Sequence, residues 1–352
     1  MRHCILHIGT EKTGTTSLQA SLSKQRHSLQ EQRVYYSPMI GKHIRSIARF
    51  ALDRSRKQAW LKIFFPATQA QDQRWRAQFI QRWREEMAAL PDTCRYVISS
   101  EFLAWMLTSP QELMSIKKEL DTYFDQIKVV CYLRRPDRFA LSFCSTALKN
   151  GVVLPEILPT KWAHSPRFNY LLLVMMWARV FGKNAMRIYS YDQNKHQLHL
   201  HFSAQVLGLT ERPLQAVNEQ QVNPSLSTIA LPAYQAFLRQ FDAPRPINKF
   251  QHFMETNYAG RLPMTRAEAK AYADQFTNDI KKIERLFGLE PLFDDNFDDY
   301  PEQLAAQDEK WLQLSKDPAA CEDDCAIQAL LHEFCAFSKQ ERPVQAKPAN
   351  YD

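Results

Sequence analysis

The chain has 352 residues, 45% of them hydrophobic, which is enough to fill the core of one large or two ordinary domains and excludes disorder as the dominant state. A formal charge of +7 favours an anionic partner, whether a small molecule, a nucleic acid or an acidic surface. No uncharged apolar run reaches the ~18 residues of a spanning helix, residues 1–10 do not read as a signal peptide, and the cysteines, spread from Cys4 to Cys335, read as reduced thiols, so the expectation is a soluble, cytoplasmic protein without structural disulfides.

The N-terminal string CILHIG is a short apolar run suited to a buried parallel strand, and the loop GTEKTGTT follows it directly. From Ser17 the spacing of Leu18, Leu22 and Leu29 predicts a helix. Residues 42–63 are basic and amphipathic. Residues 69–90 form a long predicted helix carrying both arginines and tryptophans, closed by Pro91. RYVISSEF reads as a second strand ending in Ser99, Ser100 and Glu101, and a helix around 110–124 leads to IKVVCYLRRP, a third strand ending in two arginines. FALSFCSTALKNG predicts a helix stopped by Gly151, and a helix over 167–182 precedes a fourth strand in NAMRIYSYD. Repeated alternation of strand and helix predicts an α/β, P-loop-like three-layer sandwich with a central, mainly parallel sheet flanked by helices. The region from 223 to about 290 reads as mostly helical, and one domain is expected over 1–300, with 301–352 a peripheral acidic to polar tail.

Glycine is scarce, 8 in the whole chain, and two of them, Gly9 and Gly14, stand in the loop after the first strand. In the phosphate-loop pattern GxxxxGK followed by Ser or Thr, glycines let the backbone wrap a phosphate while the next helix supplies free N–H groups. Gly9, Gly14 and Thr16 match that pattern, but Thr15 stands where the lysine belongs and the nearest cation is Lys12, inside the loop. A lysine after the second glycine serves the β and γ phosphates of a triphosphate, so Lys12 would meet another part of a ligand.

The string EKTGTTSLQ, Glu11 to Gln19, resembles the 5'-phosphosulfate loop of sulfotransferases that use 3'-phosphoadenosine 5'-phosphosulfate (PAPS). LRRPDRFALSF resembles the 3'-phosphate motif of the same family, an arginine at a strand end and a serine eight residues later, here Arg134 and Ser142. Two such anion sites at strand ends are much harder to obtain by accident than one. The resemblance spans about Cys4 to Gly208 and is strongest to bacterial and carbohydrate-modifying members, partly through the segment HSPRFNYLLLVMMWARVFGKNAMRIYSYD. Asn223, Ser225 and Leu226 echo a recurring NxSLS feature, which alternatively reads as a helix N-cap.

The resemblance implies transfer of a sulfuryl group from PAPS to a hydroxyl, of a carbohydrate or glycoconjugate, by in-line displacement and with no metal. Lys12 would meet the charge growing on the leaving oxygen, and Thr13, Gly14, Thr15, Thr16 and Ser17 would hold the 5'-phosphate. Arg134 and Ser142 would hold the 3'-phosphate, as a guanidinium fork and a hydroxyl one to two helical turns along suit a phosphate. Arg135 and Arg138 read equally well as a solvated basic helix start. Glu101 is the candidate general base, although its SSEF context departs from the EKS pattern of the animal enzymes and a carboxylate at a helix start is also favourable by itself. Glu11 and His7 are weaker alternatives, Glu11 as a partner of a neighbouring lysine and His7 as a satisfied strand histidine.

Two other readings of the chain stay open at this level. One is a divergent P-loop kinase or NTPase with Thr16 and Glu101 on Mg²⁺. The other is a nucleic-acid-binding module built on residues 42–84, where Trp75 and Trp83 stand among Arg74, Arg76, Arg82 and Arg84, although such a helix more often buries its tryptophans. Cys321, Cys325, His332 and Cys335 offer zinc-type ligands but read better as thiols on a helix, and His196, His199 and His201 fall on different helical faces.

Overall fold

Short apolar runs produce the strands β1 (Arg2–His7), β2 (Val34–Tyr36), β3 (Cys94–Ser99), β4 (Gln126–Leu133) and β5 (Met186–Ser190) in the computed structural model, which describes residues 1–42, 44–56, 68–154, 157–158, 167–217, 225–241 and 246–340. All pair in parallel, in the order β2-β3-β1-β4-β5. The inner strands β1, β3 and β4 are buried on both faces over much of their length and need no alternation of polar and apolar residues, whereas burial alternates along the edge strand β5. The chain divides into two units, the first comprising Met1–Pro136, Lys161–Gln220 and Gln275–Asp295, and the second the remaining segments.

The sheet belongs to the first unit. On one face Ile5, Val97, Val130 and Tyr132 pack against Leu18, Leu22 and Leu29 of the first helices and against Leu198, Phe202 and Leu207. On the other face Tyr96 receives a hydrogen bond from Trp83 Nε1 (3.2 Å), and the helices Pro110–Asp121 and Tyr170–Phe181 cover β4. Helix, sheet and helix therefore form three layers, and the α/β expectation holds.

The long helices follow the sequence closely. Gln69–Ala88 begins at a Thr68 capping box and stops before Pro91, and Pro110–Asp121 begins at a Ser109 capping box. The helix expected from Ser17 is instead split into α1 (Thr15–Lys24) and a second piece, Arg26–Glu31. Its break is at Gln25, whose amide donates to the Gln215 carbonyl (2.6 Å) and accepts from the Gln215 N–H (3.0 Å), a long-range tie that no local pattern announces. β2 is only 3 residues long, too short for a periodic signal, and was not anticipated.

The second unit is helical, with Ala230–Gln240, Ile247–Asn257, Arg266–Asp274, Ala306–Leu314 and Cys325–Gln340 around an aromatic core in which Phe237 and Phe250 stack at 4.1 Å. The sequence after residue 300 was expected to be a peripheral tail. Trp311, Cys321, Ile327, Leu330, Leu331 and Phe334 are instead buried in this core, so the described part of that stretch, to residue 340, is packed. Its acidic residues line the outer faces of helices whose inner faces are apolar, and average composition hid that division. Among the described residues no helix is long and apolar enough to cross a membrane.

Candidate functional site

β1 lies between β3 and β4, and all three run the same way, so the segments that follow them emerge side by side at one edge of the sheet. Ile8 N–H donates to the Val130 carbonyl (3.0 Å) and Ser100 N–H to the His7 carbonyl (3.0 Å), carrying the register just past the strand ends. This topology brings Glu101, the Gly9–Gly14 loop and Arg134 together from three distant parts of the sequence.

The loop is internally braced. Thr10 Oγ1 donates to the Tyr132 carbonyl (2.7 Å), and Thr13 Oγ1 to the Thr10 carbonyl (2.6 Å). Thr15 Oγ1 is also turned inward, 3.5 Å from both the Thr10 carbonyl and Thr13 Oγ1. With Thr13 and Thr15 buried and their hydroxyls engaged, what they offer an anion is backbone N–H; the Thr16 side chain is exposed and Ser17 is half-buried, 3.3 Å from His199 Nε2. Gly14 is the N-cap of α1, where no side chain caps the helix and no acidic residue stands in the first turn, so the positive end of the helix dipole is uncompensated from within the helix.

Gly9, Lys12 and Gly14 all have left-handed backbones, at φ +61°, +65° and +72°. For a lysine that conformation costs about 1–2 kcal/mol, strain of the kind retained at functional loops. Arg134 Nη1 holds the Lys12 carbonyl at 3.1 Å, and Tyr170 Oη donates to the Arg134 carbonyl at 2.8 Å. The Arg134 guanidinium lies 5.5 Å from the centre of the Tyr191 ring, and its Nε is buried without a hydrogen-bond partner among the described residues. Among the described residues no carboxylate pairs with Arg134.

The neighbouring arginines differ from that pattern. Arg135 is 2% exposed, pairs with Asp294 (2.8 Å) and donates its backbone N–H to Asp192 (2.6 Å), so it is a buried structural cation and not part of a solvated helix start. Arg138, in the second unit, pairs with Asp299 (3.5 Å).

Glu101 is half-buried directly against Gly9: a Cβ at Gly9 would stand 3.1 Å from Glu101 Cα. Gln19 Nε2, from α1, donates to Glu101 Oε2 (3.0 Å) and to the Ser99 carbonyl (3.2 Å). Burial pushes the Glu101 carboxyl above the usual carboxylate range, and the Glu11 charge adds to that, while the Gln19 bond and Arg45 pull the other way. A carboxylate raised in this way and fixed by a hydrogen bond is suited to accept a proton near neutral pH.

Of the weaker candidates, His7 is fully buried, with Nδ1 2.8 Å from Ser99 Oγ, and burial lowers its pKa to about 3, so it is a neutral strand histidine. Among the described residues the partner of Glu11 is Arg167 and not a lysine. Both its oxygens accept from Arg167, with Nη2 to Oε1 at 2.6 Å.

Ser142 is half-buried in the helix Pro136–Lys149, in the second unit. Asn223 lies outside the described residues, and Leu226, expected near a helix N-cap, forms an antiparallel bridge with Ala259 instead. Trp83 is fully buried, and Trp75 stacks on Phe79 (5.3 Å) with the Arg49 guanidinium 3.8 Å from its ring centre, so neither ring is an open platform for bases. Arg76 and Arg84 pair with Asp72 and Glu119. His201 lies 2.8 Å from Tyr132 Oη and His199 turns to Ser17, and no metal-holding group of His, Cys, Asp or Glu occurs among the described residues.

Gln19, Arg45 and Arg167 were not singled out from the sequence. Gln19 carries a signal after the fact: it is a buried amide beside Leu18 and Leu22 on the inward side of α1. Arg167 lies 156 residues from Glu11 and has none.

No family model and no curated protein matches the chain. Among solved structures the chain is similar to a sulfotransferase from Alicyclobacillus acidocaldarius, at 12% identity over 82% of this chain and 97% of that one, with a TM-score of 0.44.

Proposed function

We propose that the chain is a sulfotransferase that uses PAPS as donor and a hydroxyl, of a carbohydrate or glycoconjugate, as acceptor. The observation that carries this reading is Arg134: a guanidinium matched by no carboxylate among the described residues, with a buried, unpartnered Nε, fixed 3.1 Å from the carbonyl of Lys12 in the loop. Leaving a partly buried cation unmatched is costly, and the adjacent Arg135 is matched by Asp294. A bound phosphate would supply the missing partner.

The residues present fit such a donor. The N–H groups of the first turn of α1, with those of Thr13 and Gly14 and the hydroxyls of Thr16 and Ser17, bind the 5'-phosphate. Arg134 binds the 3'-phosphate, a role for which the motif in the sequence also names Ser142. When bound, PAPS supplies a sulfuryl group already activated by a phosphate leaving group. Lys12 meets negative charge on the leaving oxygen, and Glu101 takes the acceptor proton, its raised pKa matching that task. With charge met by Lys12, Arg134 and the helix end, the scheme requires no metal. Thr15, in the place of a triphosphate-binding lysine and turned into the loop, disfavours an NTPase. The unpaired cysteines fit a reducing cytoplasm.

The test is transfer of labelled sulfate from PAPS to a panel of sugars, glycolipids and phenols with EDTA present. Transfer to a sugar hydroxyl is the expected result. No transfer to any acceptor, together with nucleotide triphosphate turnover that stops on chelation, would replace the reading with the NTPase one.

A further inference from the structure

A carboxylate is out of place in a loop that binds a polyanion, yet Glu11 immediately precedes Lys12. Its negative charge is met by Arg167, through Nε and Nη2 on the two carboxylate oxygens, with side-chain exposures of 28% and 19% for the arginine and the acid. The Arg167 guanidinium also lies 4.5 Å from the centre of the Trp105 ring. Trp105 stands on the short helix Phe102–Met106, whose N-cap is Glu101. One side chain thus touches both the loop that carries Lys12 and the helix that begins at the candidate base.

We propose that Arg167 is a positioning residue for the reaction: it masks the Glu11 charge beside the donor and ties the Lys12 loop to the element that presents Glu101. The inference rests on the sulfotransferase reading above. A fork of two parallel bonds fixes direction as well as distance, which a lysine cannot do. Partly shielded, the pair is weakly screened, so losing one member leaves a charge that its surroundings feel.

The groups acting on Glu101 are Gln19, which donates a hydrogen bond, Arg45, which lowers its pKa, and Glu11, which raises it; Glu101 in turn raises the Tyr36 phenol. Removing Arg167 leaves the Glu11 charge unopposed. In Arg167→Gln the acid limb of kcat/KM should therefore move to higher pH, and affinity for 3'-phosphoadenosine 5'-phosphate (PAP) should fall about fivefold to tenfold. The double variant Glu11→Gln/Arg167→Gln should return both toward wild type, which loss of a merely structural side chain would not do.

The experiment measures pH profiles and PAP calorimetry for these proteins, with Glu101→Gln to identify the limb. An unmoved limb and unchanged PAP affinity in Arg167→Gln, or no recovery in the double variant, overturns the proposal. If Arg167→Gln does not fold, Glu11→Gln alone decides: the limb moves down and PAP binds more tightly, or the proposal fails. Wild-type protein that neither transfers sulfate nor binds PAP refutes the sulfotransferase reading instead, whereas active wild type with an indistinguishable Arg167→Gln refutes only the role of Arg167.

Discussion

Gly9 is where the loop and the candidate base press together, and alanine substitutions at three glycines separate that contact from ordinary backbone strain. Gly9 and Gly288 have nearly the same left-handed φ, +61° and +64°, so an alanine at either incurs about 1–2 kcal/mol of conformational strain, less a few tenths regained from the stiffer unfolded chain. At Gly288 nothing lies within 4 Å of the added Cβ, so Gly288→Ala should cost about 1 kcal/mol. At Gly9 the Cβ would meet Thr15 Oγ1 at 3.0 Å, Glu101 Cα at 3.1 Å and Glu101 Cβ at 3.2 Å, and backbone cannot swing aside as a side-chain tip can. Overpacking adds about 1–3 kcal/mol, giving about 2–4 kcal/mol for Gly9→Ala. Gly14→Ala should fall between them, because its closest contact, Leu198 Cδ2 at 2.5 Å, is the end of a flexible side chain. Urea unfolding of the three variants reads the order directly, provided the slope with denaturant is unchanged. Gly9→Ala no more destabilising than Gly288→Ala would refute the packing of the loop on Glu101, and with it the claim that one rigid contact sets their spacing.

Further expectations concern chemistry. PAP should raise the melting temperature far more than AMP, and Arg134→Ala should remove most of that difference; equal shifts by the two ligands in wild type would remove the 3'-phosphate role. Lys12→Ala should lower kcat more than it weakens PAP binding, and unchanged turnover would retire its role at the leaving oxygen. Glu101→Gln should abolish most transfer while stabilising the fold at neutral pH. For an acid whose folded pKa is raised, the protonated form is the one the fold favours, so the advantage of Gln should be absent below the unfolded pKa near 4.3, grow as pH rises, and level off above the folded pKa. A difference that grows toward acid would show that Glu101 is stabilised as a charge.

The legible parts of the molecule are those governed by local rules. The strands β1, β3, β4 and β5, the helix Gln69–Ala88 with its cap and the stop before Pro91 all follow from runs, caps and breakers within a few residues. The convergence of the Lys12 loop with Arg134 was also legible, because both strings follow predicted strands and parallel strands place their ends at one edge. What escaped depends on sequence-distant partners. The break at Gln25 is set by Gln215, the Glu11 partner is Arg167, and Arg135 is buried only because Asp294 reaches it. The packing of the chain after residue 300 is hidden from composition because its apolar residues are interspersed with polar and acidic ones along Ala306–Leu314, Pro318–Asp323 and Cys325–Gln340.

The same pairings decide how the charge of the whole chain bears on the site. A formal +7 describes attraction at long range, which salt screens within about 10 Å. Near the carboxyl edge of the sheet Arg135 is matched by Asp294 and Arg167 by Glu11, so neither adds a net charge there. Arg134 donates to a neutral carbonyl and is paired with no acid among the described residues, beside a helix end with no acid in its first turn. On the proposed function anion recognition at this edge would be local and partly buried, and PAP affinity should fall with salt less steeply than binding of a polyanion to the exposed Arg74 and Arg82 would. The two modes differ in origin: one rests on a guanidinium whose buried Nε has no partner among the described residues, the other on solvated charges that any counterion can satisfy.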